Sequence, residues 1–131
     1  MTEEFKFIPF EDVGSKFGNY TISLAGHSGF GFNSGFYNRE NIKQYSHVLL
    51  SYDKTKKAIG FFFTNDSTLR GACKITHTKS KKSGSVVVRS FFTAHNINPE
   101  EYTGKYTPKE YEDPNLGKLF YIILEKNVED T

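Results

Sequence analysis

The chain has 131 residues and a mass of 15.0 kDa, which fits one compact domain spanning residues 1–131. Its 13 Phe and 8 Tyr residues, with no Trp, favour the pleated, half-buried surface of a β-sheet. The formal net charge of only +2 excludes a strongly basic nucleic-acid-binding domain. Any argument for nucleic acid must therefore come from local clusters of charge.

Several classes of protein are excluded by simple features. The single cysteine, Cys73, cannot form an intramolecular disulfide, and Glu3 and Glu4 occupy the place where a signal peptide carries basic residues. No apolar run approaches the ~20 residues that span a membrane. We therefore expect a cytoplasmic protein that has no membrane partner.

Alternation of apolar and polar residues predicts eight strands and a β-dominated α+β fold. Two short helices are predicted at residues 34–45, with Ser34 as N-cap, and at residues 91–96. A further helical turn begins at Pro99 with Asn98 as its cap, and residues 126–131 form an acidic tail. The predicted strands are 17–24, 29–33, 47–53, 58–64, 72–78, 85–90, 105–111 and 119–125.

The clearest local signal is a β-hairpin. The polar run from Asp53 to Lys57 separates two apolar strands, which is typical of a hairpin turn with a lysine-rich tip.

The two halves of the chain resemble each other. Residues 29–64 and 85–125 both read strand, short helix, strand, strand, and Phe36 falls on Phe91 at an offset of 55 positions. These halves would form a small barrel-like domain. The alternative is an α+β or β-barrel domain without internal symmetry.

The order strand, helix and hairpin, occurring twice, resembles the swapped-hairpin barrel of the AbrB and SpoVT family, especially its single-chain MraZ-like form. Gly31-Phe32-Asn33 occupies the position of that family's Ile-Pro element, and Arg39 corresponds to its helix arginine. Gln44-Tyr45-Ser46-His47 replaces its Gly-Asp. The resemblance implies a DNA-binding transcriptional regulator of bacterial, plasmid or phage type that is dimeric or larger.

Two lysine clusters are the candidate phosphate-binding residues. We predict that they bind nucleic acid together with two arginines, although solvated turns of a soluble β-protein carry lysines as well. The candidates are Lys79, Lys81 and Lys82, then Lys54, Lys56 and Lys57, and finally Arg39 and Arg89.

Aromatic residues support a second hypothesis. A strand with rings on both faces is either sandwiched or at an interface. Exposed rings would form a homodimer interface, a surface that binds a protein partner, or a platform on which single-stranded nucleic acid stacks. The alternative function is therefore a non-enzymatic protein-interaction module, such as an accessory or inhibitor protein. The residues concerned are Phe30, Phe32, Phe36, Phe61, Phe62 and Phe63.

No pattern in the chain indicates catalysis or a cofactor. One cysteine and four histidines at positions 27, 47, 77 and 95 supply no closely spaced pair of metal ligands. The glycines between Gly26 and Gly35 match neither a phosphate-binding loop nor a dinucleotide fingerprint. We therefore expect no metal, no cofactor and no enzymatic activity.

Overall fold

A computed structural model describes residues 20–26 and 29–126, which form short helices and antiparallel strands. The strands are β1 (Ile22–Ala25), β2 (Gly29–Phe32), β3 (His47–Asp53), β4 (Ala58–Thr64), β5 (Cys73–Lys74), β6 (Thr76–His77), β7 (Gly84–Val87), β8 (Gly104–Tyr106), β9 (Lys109–Asp113) and β10 (Gly117–Ile123). The α-helices are α1 (Ser34–Arg39) and α2 (Arg89–Ala94), and 3₁₀ turns lie at Ile42–Gln44 and Pro99–Glu101.

The strands form two five-stranded sheets. The first sheet has the order β6-β7-β2-β1-β8, and the second has the order β5-β3-β4-β10-β9. Aromatic rings join their inner faces, since the Phe30 and Phe61 rings lie 5.0 Å apart at 89°. The predicted β-dominated α+β class is confirmed, whereas the described residues form two sheets and no closed barrel.

The core consists of side chains from the inner faces of both sheets. Burial alternates along β2, where the buried Phe30 and Phe32 follow the partly exposed Gly29 and Gly31 in turn. The expectation of aromatics exposed on both strand faces was wrong, because the two sheets bury these rings against each other. Only Phe62 stays half-buried, while five rings have at most 8% exposure, namely Phe30, Phe32, Phe36, Phe61 and Phe63.

Both predicted helices differ from the observed ones. Helix α1 has Asn33 at its N-cap and ends at Arg39, because Asn41 adopts the left-handed conformation with φ 55°. Helix α2 begins two residues before the predicted start, at Arg89. The turn at Pro99–Glu101 is confirmed, with the Asn98 side chain accepting a hydrogen bond from Glu100 N. Within the described residues no helix is long and apolar enough to cross a membrane.

Two predicted strands are each divided between the sheets. Strand β5 pairs with β3 in the second sheet, and β6 pairs with β7 in the first, so the predicted strand 72–78 breaks at Ile75. Strand β8 pairs with β1 and β9 with β10, so the predicted strand 105–111 breaks at Pro108, which has no N–H to donate. Residues 17–19 and 127–131 of other predicted segments lie outside the described residues.

The predicted hairpin is confirmed with the predicted strand bounds. All seven residues of β3 pair with β4, from His47 opposite Thr64 to Asp53 opposite Ala58. The Lys56 N–H donates to Asp53 Oδ1 at 3.1 Å, which closes the turn. Lys57 then adopts the left-handed conformation with φ 56°.

The first strand and the helix of the two halves recur at the same distance along the chain. Strand β2 and helix α1 lie 55 positions before β7 and α2, and Asn41 and Asn96 are both left-handed. Phe36 is nevertheless fully buried, whereas Phe91 is only half-buried. The duplication of residues 29–64 in 85–125 stays a prediction.

The packing of Phe61 predicts a large loss of stability on truncation. Phe61→Ala removes a ring that is fully buried against Phe30 and Phe32, so we expect the free energy of unfolding to fall by about 3–5 kcal/mol. Phe62→Ala, one position along the same strand, should cost about 1 kcal/mol, because that side chain is half exposed. Urea denaturation of both variants measures the difference. Equal losses would show that the two faces of β4 are buried alike.

The left-handed conformation of Lys81 predicts a gain in stability from glycine. Lys81 has φ 58°, and a left-handed residue with a Cβ atom costs about 1–2 kcal/mol, part of which the flexibility of glycine cancels. We expect Lys81→Gly to raise the free energy of unfolding by about 0.5–1 kcal/mol. Lys82→Gly, at a position without positive φ, should lower it by a similar amount. Thermal denaturation of both variants checks the sign.

Candidate functional site

The first lysine cluster lies at the tip of the β3–β4 hairpin. Lys54, Lys56 and Lys57 are all exposed there. Lys57 is partly engaged, since its Nζ lies 3.5 Å from the Tyr102 hydroxyl and 5.7 Å from the centroid of that ring. The tip lies beside helix α2, because Tyr52 in β3 packs its ring against Phe91.

The second lysine cluster, Lys79, Lys81 and Lys82, lies in the exposed loop between β6 and β7. This loop lies beside helix α1, because His77 at its start shares a 2.6 Å hydrogen bond with the Tyr37 hydroxyl.

The two lysine clusters lie beside opposite ends of β4. Helix α1 packs its Phe36 ring against Phe63 near the end of β4, whereas Phe91 of α2 packs against Tyr52 near the start of β4. A strand of seven residues is about 20 Å long. The structure therefore does not bring the six predicted lysines together on one phosphate-binding face.

The two predicted arginines are similarly separated, since Arg39 ends α1 and Arg89 begins α2. The Arg39 guanidinium lies 5.5 Å from the centroid of the Tyr20 ring, and the Tyr20 hydroxyl donates to Glu40 Oε2 at 2.7 Å. Burial raises the pKa of Tyr20, and the hydrogen bond to Glu40 raises it further.

A groove of about 500 Å³ lies on the outer face of the second sheet, which the first sheet does not cover. We call it the outer groove. It crosses the four strands β3, β4, β10 and β9. Its lining residues are Ser51, Tyr52, Asp53, Lys56, Ala58, Gly60, Tyr111, Asp113, Leu119, Tyr121 and Ile123.

The floor of the outer groove depends on a glycine. A Cβ atom at Gly60 would lie 2.7 Å from Ser51 Oγ and 3.5 Å from Leu119 Cδ1. The absence of that atom lets the two neighbouring side chains approach and leaves a depression at the level of the backbone.

Two tyrosine rings form the wall of the outer groove. The Tyr111 and Tyr121 rings lie 6.4 Å apart at 89°, and Tyr111 is 51% exposed. Ile123, which is 50% exposed, extends the apolar surface along β10. The exposed Tyr111 ring is suited to stacking against a planar ligand.

Charged groups of both signs surround these rings. Lys109 lies directly opposite Tyr121 on the neighbouring strand, so it shares the outer face with that ring, and Lys56 lines the groove itself. Asp53 and Asp113 are also lining residues. The groove therefore combines aromatic surface, the Lys56 ammonium group and two carboxylates, and the Lys109 ammonium group lies on the same outer face beside Tyr121.

Sequence reasoning found Lys56 but missed Lys109, Tyr111 and Tyr121. The available signal was weak: Tyr111 and Tyr121 lie ten positions apart, and only the β9–β10 register places Tyr111 opposite Leu119 and diagonal to Tyr121. The run from Leu119 to Leu124 is apolar throughout, so its pattern does not show that Leu119, Tyr121 and Ile123 share the outer face.

Cys73 and His77 form no reactive pair in the structure. Both ring nitrogens of His77 are engaged, Nδ1 by the Tyr37 hydroxyl and Nε2 by the Tyr45 carbonyl at 2.8 Å. Burial raises the pKa of the Cys73 thiol, which disfavours the reactive thiolate. No group of three or more His, Cys, Asp or Glu residues in the described part of the chain is arranged to hold a metal ion.

Comparison with known proteins gives no relative for this fold or site. No protein-family model, curated protein or solved structure has a significant match to the chain. The resemblance to the AbrB and SpoVT family therefore stays a prediction.

Proposed function

We propose that this protein binds single-stranded nucleic acid in the outer groove, as a regulatory protein without catalytic activity. The observation that supports this most directly is the pair of Tyr111, which is exposed, and Tyr121 on the outer face, with Lys109 opposite Tyr121 and Lys56 in the turn that lines the groove. Bases would stack on the rings while the two ammonium groups contact phosphates. Each stacked base contributes about 1–3 kcal/mol, and lysine contacts add a salt-dependent term.

The arrangement of charge favours a single strand over a duplex. A duplex reader needs its basic residues along one face, and the two lysine clusters lie at opposite ends of β4. Both α-helices have only six residues, and Arg39 is packed on the Tyr20 ring. A planar ring, by contrast, is accessible only to bases that are not paired in a duplex.

The alternative function is a protein-interaction module that uses the same surface. Two observations favour it: Ile123, two positions beyond Tyr121 on β10, is 50% exposed, and tyrosine is enriched in protein interfaces. The homodimer also stays a prediction, although five of the six rings that suggested it are buried within one chain. Light scattering of the purified protein tests for the dimer.

The proposal predicts how binding depends on salt and on individual side chains. We expect a fluorescent 12-nucleotide single strand to bind more tightly than a random duplex at ~50 mM salt, measured by anisotropy. Tyr111→Ala should weaken binding about 5- to 150-fold, the equivalent of about 1–3 kcal/mol. Lys56→Ala should reduce the slope of log affinity against log salt by about 0.7, the value for one phosphate contact on a single strand.

Matched controls separate the outer groove from general electrostatics. Val87→Ala truncates an exposed apolar residue of the first sheet and should leave affinity unchanged. The triple variant Lys79→Ala, Lys81→Ala, Lys82→Ala should weaken binding less than Tyr111→Ala does. Absence of single-strand binding at low salt would reject the proposal and favour the protein-interaction module.

A further inference from the structure

The two carboxylates of the outer groove are held by the turns of the two hairpins. Asp53 Oδ1 accepts from Lys56 N, and Asp113 Oδ2 accepts from Asn115 N and Leu116 N, both at 2.9 Å. Within the described residues the second oxygen of each carboxylate has no hydrogen-bond partner, so Asp53 Oδ2 and Asp113 Oδ1 are free to accept from a ligand.

These carboxylates determine how a nucleotide strand can lie. Asp113 lies at the opposite end of the sheet from Lys56, so phosphates that are attracted by Lys56 and Lys109 and repelled by Asp113 make the backbone follow the lysines. The bases then turn towards the rings and Asp113. Asp113 lies two positions from Tyr111 in β9, so both side chains project from the same face, about 7 Å apart along the strand. A base stacked on Tyr111 can therefore direct its edge towards Asp113.

We propose that the outer groove selects bases that carry an exocyclic amino group over thymine and uracil, with Asp113 as the acceptor. A carboxylate accepts hydrogen bonds and cannot donate them, so it bonds the amino group of cytosine, adenine or guanine. Thymine and uracil present a carbonyl oxygen at the position where cytosine has its amino group, and their N3–H donor lies between two carbonyl oxygens, which are repelled by the carboxylate. This inference rests on the proposed binding of single strands.

Oligo(dC) and oligo(dT) are the matched probes, because their bases have the same ring size. Anisotropy with eight-nucleotide strands at pH 7.5 and ~50 mM salt should give about tenfold tighter binding of oligo(dC), within the 5- to 150-fold that ~1–3 kcal/mol of discrimination represents. Oligonucleotides of N4,N4-dimethylcytosine lack the donor hydrogens and should bind the unaltered protein no better than oligo(dT).

Asp113→Asn tests the residue itself. Its amide oxygen can still accept from Asn115 and Leu116, while its NH₂ group donates to thymine, so the preference for oligo(dC) should disappear or reverse. Asp66→Asn is the matched control. Asp66 holds a turn by accepting from Thr68, and it does not line the groove, so its replacement should leave the preference unchanged.

The outcomes distinguish this inference from the proposed function. Equal affinity for oligo(dC), oligo(dT) and the dimethylated strand would overturn the selectivity and leave single-strand binding intact. A preference that survives in Asp113→Asn would overturn the role of Asp113. Failure of the protein to bind every strand would overturn the proposed function as well. If circular dichroism shows that Asp113→Asn is unfolded, the affinity of the unaltered protein for the dimethylated strand tests the selectivity instead.

Discussion

The contact of phenylalanine rings between the two sheets is the interaction on which the rest of the structure depends. Phe30 and Phe32 of β2 face Phe61 of β4, with both ring pairs at 89° and centroids within 6.0 Å. Such edge-to-face contacts combine a large buried area with a defined mutual orientation. They fix which face of each sheet points inward, and therefore which residues remain outside.

The outer groove is a consequence of this inward packing. Because Ile59, Phe61 and Phe63 occupy the inner positions of β4, the outer positions fall to Ala58, Gly60 and Phe62. The small residues create the depression, and the neighbouring β10 supplies the Tyr121 ring and the apolar side chains of Leu119 and Ile123 at its own outer positions. Core residues and candidate-site residues thus alternate along the same strands.

The hairpin formed by β3 and β4 could be predicted from sequence because its signals are local. A polar turn between two apolar strands leaves few other structures possible, and the predicted bounds agree with His47–Asp53 and Ala58–Thr64. The end of α1 was less predictable, since it depends on Asn41 adopting a conformation that asparagine tolerates but does not require.

The candidate site could be predicted only in part, because it depends on which sheet face is covered. In Phe61-Phe62-Phe63 the alternation is obscured, and only packing against the first sheet shows that Phe61 and Phe63 point inward. The groove also joins residues about sixty positions apart, such as Ser51 and Tyr111, which strand order alone brings together. Local patterns contain no information on strand order across a sheet.

The short segment formed by β5, Ile75 and β6 links the two sheets mechanically. Its first residues are hydrogen-bonded to β3 and its last residues to β7, while Ile75 between them is 3% exposed and donates its N–H to the Ser46 carbonyl at 2.9 Å. Neither sheet can separate from the other without breaking the hydrogen bonds of this segment. The two layers therefore constitute one cooperative unit, and amide protons at the centres of both sheets should exchange with solvent through the same opening event.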